Sequence, residues 1–266
     1  NNATQPDDEA ELKKFNKLSE KEQMEYLYDL WRNPIVSDTY EPGSTFKIIT
    51  AAAALEEKVV DLNDSFYCPG YIVVEDRRIR CSKVTGHGSQ DFTEAIENSC
   101  NPAFISIGLK LGVDKYYSYF EKFGLLKKTG IDLPGEVNST YHSEEKMGPV
   151  ELASSSFGQT FNVTPMQLIT AVSACVNGGY LVQPHLVSKM LDEEGKVVKS
   201  TVETYKRQVV SKSTSDVLKE LMGSVAENGA KNSLVAGYKI GSKMVIYLVD
   251  KVFLEGSRPV FYVVDS

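Results

Sequence analysis

No stretch of this sequence approaches the ~20 consecutive apolar residues that cross a bilayer, so nothing in its 266 residues reads as a membrane span. No secretory signal opens the chain either. If the protein works at a membrane, its anchor is expected outside this sequence. Positive charge is also short. Lys and Arg number 29 against 36 Asp and Glu, a formal net charge of −7, which argues against the basic face of a nucleic-acid binder. Histidine is scarce, with three in the chain. His142 and His185 read as structural or surface residues, and nothing groups a His with a Ser and an acid, so a Ser-His-Asp hydrolase is disfavoured. Internal repeats are absent. What is present is ordinary for a globular protein, 42% hydrophobic and 24% charged, enough chain for one large domain or two small ones.

Residues 1–30 are rich in Asp, Glu, Lys and Asn and read as a solvated segment. One helix is expected over 19–30, where Ser19 and Glu22 have the spacing of a capping box. From Tyr40 the texture changes. Glu41-Pro42-Gly43 is a turn, and 44–55 reads as a helix whose alanine run suits burial at a domain centre. A hairpin is expected within 66–81, with 71–74 as one strand. Residues 91–111 look helical to a stop at Gly112, 116–123 form a short aromatic helix, and 124–150, rich in Gly and Pro, an irregular connection. Further helices are expected over 164–177 and 213–228. Residues 186–191 and 196–202 pair around a turn at 192–195, and 238–240, 244–249 and 260–264 are β-like. The pattern is α+β, helices packed on a largely antiparallel C-terminal sheet.

The first chemical signal is Ser44-x-x-Lys47. Residues three apart share a helix face, so the Lys47 amine can bond the Ser44 hydroxyl and take its proton if burial lowers its pKa. A helix start also offers backbone N–H groups to an oxyanion. Alone the pattern is weak, since a capping Ser and a surface Lys give the same spacing. Its flanks strengthen it: a lysine directly before the apolar run 48–55 is an odd place for a solvated charge.

Tyr40-Glu41-Pro42-Gly43-Ser44-Thr45-Phe46-Lys47 resembles the active-site helix start of class B penicillin-binding proteins. Their Ser-x-x-Lys, Ser-Asp-Asn and Lys-Thr-Gly set continues at Ser99-Cys100-Asn101, with Cys100 at the middle position. Gly130-Ile131-Asp132-Leu133-Pro134-Gly135-Glu136, Ser156-Phe157-Gly158-Gln159 and Thr164-Pro165-Met166-Gln167 also look like this family. The resemblance runs from about Trp31 to the end and makes 31–266 the transpeptidase domain, without anchor or pedestal. The wording of 31–40 is closest to Gram-positive anaerobe enzymes of the elongation or stage V sporulation protein D type. The fold implied is that of penicillin-binding proteins and serine β-lactamases, an antiparallel sheet with helices on both faces and an all-helical lobe.

The only literal Lys-Thr-Gly, Lys128-Thr129-Gly130, sits in a connection between helices and is a decoy. The functional motif belongs on a strand, and Gly237-Tyr238-Lys239-Ile240-Gly241-Ser242-Lys243 leads into one. After Lys243 the family continues Thr-Gly-Thr, whereas Met244-Val245-Ile246 follows here. Either the motif is lacking or residues are missing after Lys243; the expectation is a gap, because the lead-in matches and 244–249 resumes as a strand. Lys243 is the candidate for holding the substrate carboxylate.

Of four cysteines, Cys175 lies in an apolar helix and reads as core. Cys68, Cys81 and Cys100 fall in one segment with His87, whose loop is Gly86-His87-Gly88. Three Cys and one His complete a tetrahedral Zn²⁺ set; a Cys68–Cys81 disulfide and free thiols are the alternatives. The resemblance favours zinc, since some relatives carry it near this loop. Asp64 and Asp91 are reserve ligands. Zinc at Cys100 would pin the Ser99–Asn101 motif beside Ser44.

The resemblance implies a peptidoglycan D,D-transpeptidase. Lys47 takes the proton of Ser44, Ser44 attacks the penultimate D-Ala carbonyl of a stem peptide, Ser99 relays protons, and Asn101 holds the substrate amide. β-Lactam antibiotics would acylate the same Ser44. No organic cofactor and no nucleic acid are implied. A lipid II glycosyltransferase of the shape, division or sporulation type is the implied partner, and the extracytoplasmic face of the membrane the implied place. A D,D-carboxypeptidase, a β-lactam sensor domain or a non-enzymatic scaffold of the division or spore machinery are the rival readings.

Overall fold

The structure, a computed structural model, describes residues 4–202, 204–228, 239–245 and 258–265. Helices α1 (Glu9–Phe15), α2 (Glu20–Trp31) and α3 (Pro34–Ser37) open the chain. Residues 4–30 are mostly exposed as expected, anchored by Phe15 and Leu27, and Ser19 and Glu22 form the capping box. The buried centre is α4 (Lys47–Glu56). Its Ala51–Ala54 side chains are almost wholly hidden, and such small groups let neighbouring helices approach closely. Phe46, just before it, meets the Phe161 and Phe120 rings at 4.8 and 5.7 Å. Each such buried ring contributes roughly 1.5–3 kcal/mol.

Strand β1 (Phe66–Cys68), the hairpin β2 (Tyr71–Val74) and β3 (Arg77–Arg80), and β4 (Gly88–Gln90) follow. The hairpin expected within 66–81 is confined to β2–β3, while β1 pairs antiparallel with β4, Cys68 opposite Gly88. That pairing folds the segment back on itself and brings its cysteines together.

Helices α5 (Phe92–Glu97), α6 (Asn101–Leu111), α7 (Val113–Lys122), α8 (Pro149–Ser155) and α9 (Pro165–Val176) form the helical body. The single helix expected over 91–111 is two. Pro102 lies in the first turn of α6, where its missing N–H is tolerated, and it cannot continue a helix begun earlier. Ser99 takes a left-handed φ of 50° in the break. Residues 44–55 also differ from one uniform helix: a tight 3₁₀ turn, Gly43–Phe46, precedes α4. Cys175 is core, as expected.

Next come β5 (Tyr180–Val182), β6 (Lys189–Leu191), β7 (Val197–Ser200), β8 (Tyr205–Gln208), α10 (Lys212–Asn228), β9 (Lys239–Val245) and β10 (Arg258–Asp265). Among the described residues the strands form five two-stranded antiparallel pairs, including β6 with β7 as expected. At the C-terminal end β9 pairs with β10, and α10 packs on β9. Tyr238 and 246–249, read as β-like, lie outside the described residues. No helix among the described residues is long and apolar enough to cross a membrane.

Candidate active site

The turn carrying Ser44 is clamped from behind by residues 156–163. Tyr40 and Val163 exchange backbone bonds of 3.0 and 3.1 Å, Gly43 N–H donates to Gly158 O at 2.9 Å, and Thr50 Oγ1 donates to Ser156 O at 2.9 Å. Gly158 has φ +87°, and a Cβ there would run into the backbone of Gly43. Only glycine fits, for both reasons. Gly158→Ala is therefore expected to displace the Ser44 turn, costing roughly 1–3 kcal/mol of stability and about 100-fold in acylation of Ser44, the scale of a 1 Å misplacement. Thermal melts and penicillin-acylation kinetics check it; an unchanged acylation rate would contradict it.

Ser44, Lys47, Ser99 and Asn101 converge. Lys47 Nζ lies 3.0 Å from Ser44 Oγ, 3.1 Å from Ser99 Oγ, 2.6 Å from Ser99 O and 2.7 Å from Asn101 Oδ1. An ammonium has three protons for these four oxygens, so it cannot satisfy all of them at once. A neutral amine donates to the Ser99 and Asn101 carbonyl oxygens and keeps its lone pair for a hydroxyl proton. Lys47 is 0% exposed. Burial lowers its pKa to about 7, against a smaller upward pull from Cys100 and Cys81. The amine is thus available as a base near neutrality. The break between α5 and α6 does the positioning, since an unbroken helix would turn Ser99 and Asn101 away.

Ser44, Ser99 and Asn101 line one cleft of about 380 Å³. Lys243 is not among its lining residues: it is fully buried on β9, beside the Ser44 turn, and donates to Ile96 O at 3.1 Å. Burial, helped by the charge of Lys47, pushes its pKa well down. The decoy triplet stands elsewhere, Thr129 bonding Glu136 in the 124–150 connection. His142 is half-buried and His185 exposed, and neither lines the cleft.

Cys68, Cys81, His87 and Cys100 also meet, their ligand atoms all within 4.8 Å of one another. The β1–β4 pairing supplies the framework, and Gly86 packs so tightly on the backbone at Cys68 that no Cβ fits. The thiols are unbridged. Asp91 instead caps α5 and Asp64 pairs with Lys110, so neither reserve ligand joins the group. Cys81 accepts a hydrogen bond from Cys100, which lowers the first thiol's pKa and raises the second's. The donor set fits Zn²⁺: three buried sulfurs and a half-buried imidazole. Gln90, the last residue of β4, has a buried Nε2 without a hydrogen-bond partner among the described residues, while its Oε1 accepts from Asn98 Nδ2 at 3.1 Å. Sequence reasoning missed the clamp from 156–163 and the arginines lining the cleft from β3.

An α+β domain centred on a buried lysine that bonds a serine one helical turn away is of the penicillin-binding and serine β-lactamase class. The family described as the penicillin binding protein transpeptidase domain matches residues 3–243, and the chain belongs to it. Stage V sporulation protein D of Bacillus subtilis (strain 168) is 47% identical over 215 residues, covering 80% of this chain and 33% of that protein. A peptidoglycan D,D-transpeptidase FtsI homolog of Mesostigma viride is 28% identical over 247 residues, covering 82% and 41%. The chain thus spans well under half the length of these relatives. Among solved structures, the D,D-transpeptidase domain of an Eggerthella lenta peptidoglycan glycosyltransferase superposes with a TM-score of 0.79 at 25% identity, covering 92% of this chain and 62% of that one. Penicillin-binding protein A of M. tuberculosis, as an imipenem acyl-enzyme complex, gives 0.75 at 25% identity, covering 85% and 55%.

Proposed function

We propose that this domain is a serine-type peptidoglycan D,D-transpeptidase that works through an acyl-enzyme on Ser44. The observation that carries the reading is the buried Lys47 amine, 3.0 Å from Ser44 Oγ and, among the described residues, without a carboxylate partner. Lys47 Nζ takes the Ser44 proton as Oγ attacks the penultimate D-Ala carbonyl of a stem peptide. The carbonyl oxygen gains negative charge opposite the Ser44 N–H and one N–H of the C-terminal strand. The C–N bond then breaks, and the terminal D-Ala leaves as an amine that takes a proton relayed by Ser99. A neighbouring stem's amine attacks the ester, Ser44 regains its proton, and the cross-link is complete. Asn101 orients the peptide amide, and Lys243, its pKa pushed down by burial, would serve the terminal carboxylate as a hydrogen-bond donor from β9 rather than as a charge.

The family match stops at Lys243, which supports the reading that the third motif's Thr and Gly belong to a segment missing after it. Cys68, Cys81, His87 and Cys100 would hold Zn²⁺. Bound there, the ion supplies structural cross-linking: it would fix Cys100, and with it Ser99 and Asn101, against β1 and β4. β-Lactams are the inhibitors of this reading. A lipid II glycosyltransferase is its partner, sporulation its setting by likeness to stage V sporulation protein D, and the outer face of an anchoring membrane its place.

A fluorescent penicillin is expected to label the chain, with peptide mapping placing the adduct on Ser44. A chain that stays unlabelled is the scaffold of the rival reading, and an adduct on another residue removes Ser44 from the mechanism. Product analysis with lipid-linked peptidoglycan separates cross-linking from carboxypeptidase release.

A further inference from the structure

The charge on one wall of the cleft runs against that of the chain. Arg77, Arg78 and Arg80, three of four consecutive residues on β3, line the same cleft as Ser44, Ser99 and Asn101. No Asp or Glu lines it among the described residues, although the chain carries a net charge of −7. A wall placed for solubility alone would mix the two signs.

The arginines are also held in place. The hairpin packs against α6 and α8, with Val74 buried and Ile72 and Ile79 set against the core. The backbone O of Arg80 accepts from Asn101 Nδ2 at 3.1 Å, tying the hairpin directly to the site. Arg78 stacks on the Tyr71 ring at 3.8 Å, which fixes the guanidinium plane and leaves its N–H edge available. Among the described residues Arg78 and Arg80 have no carboxylate partner, and Arg77 has only its neighbour Asp76 at 3.7 Å, both well exposed. Alternation along the strand puts Arg78 and Arg80 on one face, so two like charges stand close together with no counter-charge between them. An anion bridging them relieves that repulsion, and the guanidinium fork matches a carboxylate in a bidentate way.

We propose that Arg77, Arg78 and Arg80 form a carboxylate-recognition wall. It selects peptidoglycan strands whose stem peptide carries a free carboxylate in addition to the D-Ala terminus that reacts at Ser44. This rests on the acyl-transfer reading, because that reading puts a stem peptide in the cleft. The wall acts in binding and takes no part in proton transfer.

The test uses Ser44→Ala, which binds without turnover, and two fluorescent stem peptides that differ only in one side-chain carboxylate, free or converted to carboxamide. Anisotropy titration is expected to show the carboxylate form bound roughly tenfold tighter or more, the scale of one charge-assisted pair. Arg78→Gln with Arg80→Gln should remove that preference and shift the carboxamide peptide less than about twofold. Arg78→Lys should keep only part of the preference, since it keeps the charge and loses the fork. Equal binding of the two peptides, binding of neither, or a preference that survives the double substitution overturns the proposal. So does inorganic phosphate displacing the carboxylate peptide at equal concentration, which would make the wall a general anion site. Penicillin labelling of the unsubstituted chain reports on the acyl-transfer reading separately. A labelled chain with no carboxylate preference fails only the wall; an unlabelled chain fails the reading beneath it.

Discussion

Lys47→Met is expected to slow acylation of Ser44 by penicillin by about 10²–10⁴-fold, the usual contribution of a positioned general base. The fold should survive the change. Holding a lysine that ordinarily titrates at 10.5 down to about 7 costs on the order of 5 kcal/mol below neutrality, at 1.36 kcal/mol per pKa unit. Methionine removes that cost and fills similar space. Against it stand the oxygens of Ser99 and Asn101, which lose their donor at roughly 1–3 kcal/mol each. The two nearly offset, so the melting temperature should move by only a few degrees while the rate collapses.

The unsubstituted chain should show the same base in its pH profile. Acylation needs the neutral amine, so its rate should rise with pH and reach half its plateau near pH 7, where Lys47 loses its proton. Stability should follow with the same sign. The unfolded chain binds this proton up to pH 10.5 and the folded chain only up to about 7, so stability rises between those values. In Lys47→Met both the profile and this rise should flatten. An unaltered profile would assign the proton transfer to another group.

Loss of the proposed metal is expected to have the second large effect. Purified chain is expected to contain about one equivalent of zinc, and Cys81→Ser about none, by elemental mass spectrometry. The ion would join β1, the loop after β3, the His87 loop and the start of α6, segments otherwise held by two short strand pairs. A structural site in a domain with its own core is worth a fraction of the full metal-binding free energy. At ~4 kcal/mol of that, the melting temperature falls by roughly 10 °C. Acylation should slow about 10–100-fold, because Ser99 and Asn101 flank Cys100 and lose their anchor. Cys175→Ser, in the α9 core, should leave the metal content unchanged. Absence of zinc from the unsubstituted chain would rule out the site.

Much of this was readable along the chain, for a local reason. The capping box at Ser19, the helix that starts at Pro165 and the turn between β6 and β7 depend on neighbours within a few residues. The 91–111 segment shows the limit of such reading. Its composition is helical throughout, and the break at Ser99 depends on Pro102 together with burial against Lys47. The β1–β4 pairing was missed because it joins residues 20 or more apart across an intervening hairpin, and no local pattern records its register.

Sequence by itself determined the identities in the site: the Ser44 and Lys47 spacing on one helical face, the Ser99–Asn101 motif, and a three-Cys, one-His set of the right chemistry for zinc. These follow from side-chain chemistry and short spacings, which the linear order preserves. Tertiary structure alone decided what those groups can do. Whether Lys47 is a solvated cation or a neutral base depends on how completely α4 is covered and on which oxygens surround its amine. Whether four scattered ligands meet depends on how β1 finds β4. The arginine wall was invisible for the same reason: three arginines on a strand read as a solvated face until the fold turns them toward Ser44, because distance in space, not in sequence, sets the strength of an electrostatic interaction.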